Sequence, residues 1–198
     1  IDRRCKLALK LALATGQRMG EVCGAGVREF DPLRATWTIP GARAKNAQVH
    51  DVPLGPYALS LVQEALATTA GETFLFASRP RNRAERGDGE QPLLPGSATK
   101  AFARVRDTLE VGPDRATPHD FRRTFATFMQ REGVAEPVVA RLLNHRSDRA
   151  KTVTSKVYMR HEFKDEKRDA MEMWDRHITA LAVSNLSNEQ AVAALRQR

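Results

Sequence analysis

Apolar positions near the start of the chain recur at helical spacing. Leu7, Leu11 and Ala14 share one stripe, and Gly16 sits where a left-handed C-terminal cap is wanted. The pattern predicts a helix over 2–15 and a second, short helix from Gln17. The β-prone stretches TWTIP (36–40) and VHDVPL (49–54) flank the turn-rich GARAKNAQ and predict a β-hairpin with Lys45 near its tip. Pro56 opens another helix carrying Tyr57, Leu61, Val62, Ala65 and Leu66, and TFLF (73–76) is short and β-prone enough for a third strand. From Ser78 to Gly96 the chain turns to Arg, Pro, Gly, Glu and Asp, which predicts a mobile surface loop or insertion over about 78–96. Helical patterns resume over 97–109, from Thr117, near Pro137 to Asn144, and over 163–181, where Ala170, Met171, Trp174, Ile178 and Leu181 form one stripe. The expected class is mainly α with a small antiparallel β-sheet (α+β), and no internal repeat is visible.

Composition narrows the function classes. The 198 residues are 41% hydrophobic with 12 glycines, an ordinary globular balance that excludes disorder and collagen-like repeats. The 32 Lys and Arg against 24 Asp and Glu leave a formal charge of +8, which favours a polyanionic partner such as nucleic acid. Two cysteines, Cys5 and Cys23, are too few for a secreted disulfide framework and lack zinc-site spacing, so a reducing cytoplasm fits best. Lys6 and Lys10 interrupt the first apolar stretch, and charges break every later one before the ~18 residues of a membrane span. The opening segment imitates a signal peptide, but Lys10 lies inside the stretch and no small-residue cleavage site follows. Because the chain enters a helix directly at Ile1, an N-terminal portion is expected to precede it.

Candidate chemistry concentrates in a few segments. In ATPHDFRRTFATFMQREG, Thr117 reads as N-cap, Pro118 as first helical residue and Gly133 as terminator. Phe121, Phe125, Phe128 and Met129 would be buried, leaving His119 and Arg122 adjacent on another face of the first turn, where helix amides and a planar guanidinium suit a phosphate. A surface Arg beside a capping His would leave the same trace. In ATGQRMGEV the helix break exposes Arg18, with Glu21 three residues on to brace it, although an ordinary surface ion pair has the same spacing. Tyr57 reads as core. Tyr158 lies among Lys156, Arg160 and His161, whose charges would favour a phenolate nucleophile, and a packed amphipathic anchor is the alternative. His145 projects from a helix end, and His119 and His145 lack a patterned third ligand, so no metal or other cofactor is expected. His50, His161 and His177 are expected to be structural or exposed.

Taken in order, TGQRMGE, Lys45 before HDVPL, HDFRRTFAT, LLNH and VYMRH resemble the catalytic domain of the tyrosine recombinases, especially integrases of prophages and integrative elements, across nearly the whole chain. The closing EKRDAMEMWDRHI resembles the tail of prophage-type integrases. The resemblance implies that Arg18 and Arg122 clamp the scissile phosphate, Lys45 protonates the leaving 5′ oxygen and Tyr158 attacks phosphorus. It also implies that Glu21 supports the arginines, His119 handles a proton and His145 hydrogen-bonds a phosphate oxygen. Arg123 stands where many relatives carry a second His, and Asn144 where many carry Gly. Arg43 lies on the same turn as Lys45, and hairpin register alone does not separate the two. The implied layout is a catalytic domain over 1–182, a C-terminal tail over 183–198 and a DNA-clasping N-terminal region outside the chain. Implied partners are double-stranded attachment-site DNA, accessory DNA-bending proteins and copies of the chain itself, monomeric in solution and tetrameric on DNA, in a bacterial cytoplasm at the nucleoid. The rival readings are a noncatalytic helix-turn-helix-like DNA-binding module, for which 117–132 and 137–144 would suffice, and a type IB topoisomerase, which shares the chemistry without strand exchange.

Overall fold

The computed structural model describes residues 1–78, 89–106, 116–145 and 163–196, with side chains up to 183. Its centre is helix α1 (Arg3–Thr15), capped at its start by the Asp2 carboxylate, which accepts from the Arg4 amide. Burial on α1 extends well beyond one stripe, to Cys5, Leu7, Ala8, Leu9, Leu11, Ala12 and Ala14, because α1 packs against helices on several sides. Gly16 closes it in the left-handed region (φ +66°), and a Cβ there would come within 2.9 Å of the Phe125 ring. Both the conformation and the close approach therefore require glycine.

Helix α2 (Met19–Cys23) follows, then a 3-10 turn (Val27–Glu29). The sheet is antiparallel, in the order β1 (Phe30–Asp31), β2 (Thr36–Ile39), β3 (His50–Pro53), with Trp37 opposite Val52 and Ile39 opposite His50. Trp37, Ile39 and Val52 turn to the core, and Phe30 stacks on Trp37. The third strand is thus β1 and not TFLF. Phe74 makes only an isolated bridge with Gly26, because its partner segment winds into the 3-10 turn at Val27 and offers no extended edge. Leu75 and Phe76 are nevertheless fully buried.

Helix α3 (Pro56–Thr68) begins with proline and has no capping side chain of its own. After 79–88, which lie outside the described residues, Glu90 accepts from the amides of Glu72, Thr73 and Phe74, and Leu93 is buried. The end of the 78–96 segment is thereby anchored, and helix α4 (Pro95–Arg106) starts two residues earlier than its pattern suggested. Helix α5 (Pro118–Arg131) has Thr117 as N-cap, and Gly133 follows its end with φ +77°. Helix α6 (Glu136–Leu142) is short.

Helix α7 (Lys164–Arg196) runs on past the end expected at Leu181, since no glycine or proline interrupts it. Ala170, Met171, Trp174 and Ile178 are buried against the chain's own core, whereas Leu181 is half exposed. The Trp174 indole donates to the Leu13 carbonyl, and Trp174 packs on Phe125 and Phe128. Asp175 on α7 accepts from the Tyr57 and Ala58 amides and so caps α3 from across the fold. Tyr57 is half-buried at the core edge, as its pattern suggested. No helix among the described residues is long and apolar enough to cross a membrane.

Candidate active site

The site is organised by the C-terminus of α6. The His145 amide donates to the Ala140 carbonyl (2.9 Å) and the Asn144 amide to Arg141 (3.1 Å), with Asn144 left-handed at φ +46°. This pairing is a Schellman closure, with Asn144 in the slot that glycine commonly fills. A helix end leaves its last carbonyls without intrahelical donors. Here they are taken by side chains from elsewhere in the fold. The Leu142 carbonyl receives the Gln17 amide (2.9 Å) and the His50 Nε2 (3.2 Å). The Leu143 carbonyl receives Arg122 Nη2, and the Asn144 carbonyl receives Arg18 Nη2 at 3.5 Å.

Arg122 reaches this end from the first turn of α5, and its Nη1 donates to the Gly16 carbonyl at the end of α1 (3.0 Å). Two helix C-termini, each with a negative dipole end, therefore hold one guanidinium. The expected position of Arg122 on an accessible face is corrected: it is 4% exposed, as the inward pull of both carbonyls requires. A bare anion site at the α5 N-terminus is also corrected. Asp120 already supplies a carboxylate there, accepting from the Thr117 amide and hydroxyl and pairing with the exposed Arg123. His119, one residue into the helix, is exposed.

Glu21 is buried and pairs with Arg18 at 3.2 Å while accepting from the Arg18 amide. Burial pushes the Arg122 pKa down to about 10, the neighbouring Arg18 charge adds to this, and Glu21 partly offsets it. Arg122 stays charged at neutral pH. His145 is lowered from its ordinary value by partial desolvation, then by Arg122, Arg18, His119 and Lys45. One ring thus feels all four groups. Arg18, Lys45, His119, Arg122 and His145 are therefore gathered in one region, and Glu21 braces it. Tyr158 lies outside the described residues, as does His161.

The loop between β2 and β3 separates its two cations. Arg43 is engaged by Glu29, which accepts its Nε at 2.8 Å and also Nη2, and by the Glu21 carbonyl at 3.1 Å. Lys45 is exposed. The motif pattern overlooked Gln17 and Asn46 and gave His50 as structural or exposed, and His50 is structural. Gln17 adjoins Arg18 in TGQR, which was a usable signal; Asn46 carries none, because its partner is about a hundred residues away. His50 is buried and its pKa is pushed down to about 4, chiefly by burial and then by Lys167. His177 is structural, stacked on Phe128.

A cluster of cations with desolvated arginines is suited to a phosphate diester, whose oxygens accept from planar guanidiniums. Comparisons with known proteins agree with that chemistry. The phage integrase family profile matches residues 1–165. The chain is 26% identical to the prophage integrase IntA of Escherichia coli K12, over 88% of its own length and 38% of the relative's. It is 30% identical to the tyrosine recombinase XerC of Mesorhizobium japonicum, over 74% of its length and 45% of the relative's. It thus spans about half or less of these relatives. The integrase of mycobacterium phage Brujita superposes with a TM-score of 0.63 at 18% identity, covering 88% of this chain and 53% of that one. A lambda integrase tetramer bound to a Holliday junction gives a TM-score of 0.56 at 22% identity, covering 74% of this chain and 42% of that one. The chain belongs to the phage integrase family of tyrosine recombinases.

Proposed function

We propose that this chain is the catalytic part of a site-specific DNA recombinase that integrates or excises a prophage or other mobile element. The observation that carries the reading is the pair of like-charged guanidiniums turned into one region by helix carbonyls. Glu21 pairs with Arg18 but does not bond Arg122. The buried Glu21 carboxylate offsets only part of the charge of two converging guanidiniums, and a phosphate diester is suited to the remainder.

In the proposed step, the Tyr158 oxygen attacks phosphorus, a P–O bond to tyrosine forms and the bond to the 5′ oxygen breaks. The phenolic proton passes to a base, the role assigned to His119, and Lys45 delivers a proton to the departing 5′ oxygen. Arg18 and Arg122 hold the nonbridging oxygens, where negative charge concentrates in the transition state. His145, whose pKa is lowered by partial desolvation and then by its cationic neighbours, donates its ring N–H to one of them. The product is a 3′-phosphotyrosyl linkage, and attack by a 5′ hydroxyl from another duplex reverses the step and exchanges strands. A tetramer on duplex DNA would carry out the exchange, a reading supported by the lambda integrase tetramer on a Holliday junction.

The test is covalent trapping on a nicked attachment-site duplex. The parental chain should form an adduct that survives denaturation. Tyr158→Phe should bind the duplex with similar affinity and form none. Adducts persisting in that variant would refute the nucleophile. Pairing two duplexes in one assay separates recombination from supercoil relaxation.

A further inference from the structure

Asn144 does two jobs at once. Its backbone takes the left-handed position that closes α6, and its carbonyl faces Arg18. Glycine would serve both needs with less strain. What asparagine adds is a side-chain amide, and that amide has one described partner: its Oδ1 accepts from Asn46 Nδ2, on the loop that carries Lys45. The Asn144 Nδ2 is buried and without a partner among the described residues. A buried, unsatisfied donor is unfavourable, so the side chain is retained against a local penalty.

The loop itself is strained beside this contact. Ala47 adopts φ +56°, a region that residues with a Cβ rarely occupy unless their surroundings hold them there. Asn46 also accepts from the Gln48 amide at 3.3 Å, so one side chain both orders the loop and ties it to the end of α6. Lys45 is exposed, yet its charge reaches His145, the residue after Asn144.

We propose that the Asn46–Asn144 side-chain pair is a positioning latch that docks the loop on the arginine pocket and thereby sets Lys45 at the leaving 5′ oxygen. The latch rests on the reading of Lys45 as the proton donor. Asn46 and Asn144 act through Lys45 and touch no reacting atom. A proton donor displaced by about 1 Å loses on the order of 10²-fold in rate, which sets the scale of the expected defect.

The experiment compares Asn46→Ala, Asn144→Gly and Lys45→Ala on two nicked duplexes, one ordinary and one with sulfur in place of the bridging 5′ oxygen. A thiolate leaves without protonation because a thiol, with cysteine at about 8.5 as the reference, is far more acidic than an alcohol. On ordinary DNA, both asparagine variants should form adduct about 10- to 100-fold more slowly than the parental chain. On the sulfur-bridged duplex they should match it within about twofold, as should Lys45→Ala. Asn144→Gly relieves a left-handed asparagine and an unpaired buried amide but loses one hydrogen bond and adds unfolded-chain entropy, so its thermal midpoint should stay within a few degrees of the parental one, which separates positioning from misfolding. Parental rates in both variants on ordinary DNA would overturn the latch. So would equal slowing on both duplexes, which would mean a distorted phosphate pocket. A parental chain that forms no adduct with either duplex would instead overturn the recombinase reading on which the latch rests.

Discussion

Replacing Arg122 with methionine separates the arginine's role in function from its role in folding. In the native protein its guanidinium is buried, and the fall in its pKa to about 10 corresponds to about 3 kcal/mol of unfavourable charge burial at neutral pH. The sign follows from linkage. A base whose pKa is depressed by folding opposes folding while it is charged; that opposition is complete below about 10, begins to fade as pH rises past it, and is gone only above the higher pKa of the unfolded chain. Arg122→Met removes this cost. It also strips the Gly16 and Leu143 carbonyls of their donor, a loss of about 1–3 kcal/mol each. Against the relieved cost, the net change lies between about 1 kcal/mol of stabilisation and about 3 kcal/mol of destabilisation. Adduct formation should fall by at least ~10²–10³-fold, the usual cost of removing a donor to a developing oxyanion. Urea unfolding at pH 7 and single-turnover trapping measure the two quantities on the same preparation. Destabilisation beyond about 4 kcal/mol with adduct formation retained would mean that Arg122 is a structural cross-link between helix ends, and the reasoning would fail.

His50, with a pKa near 4 in the fold and about 6.5 in an unfolded chain, should make stability fall by about 2 kcal/mol between pH 7 and pH 5, and His50→Gln should flatten that slope; urea titrations at the two pH values measure it. A Cβ on Gly55 would collide with the Asp175 carboxylate, so Gly55→Ala and Asp175→Ala should each destabilise by about 1–2 kcal/mol, and the double variant by much less than their sum. Chemical denaturation of the four proteins closes that cycle. Affinity for duplex DNA should decline steeply between 50 and 200 mM salt, consistent with phosphate neutralisation by a chain of net charge +8; a flat response in a binding titration would contradict it.

Local signals in the chain were sufficient for the elements whose causes are themselves local. Gly16, the Thr117–Pro118 start and Gly133 all mark helix ends that the fold contains, because caps and left-handed terminators act within a turn. The ordered motifs likewise named Arg18, Glu21, Lys45, His119, Arg122 and His145, which the fold gathers in one region. The strand read at TFLF failed because pairing depends on an edge contributed by a distant segment, and at Gly26 that edge is one residue long. Arg43 and Lys45 were indistinguishable in the hairpin until Glu29 and the Glu21 carbonyl, from other elements, claimed the first and left the second exposed. The burial of Arg122, the cap lent to α3 by Asp175 and the link between Asn46 and Asn144 join groups 21 to 118 positions apart. Periodicity and capping chemistry operate over a few residues, whereas a hydrogen bond between remote groups exists only once packing has set their separation.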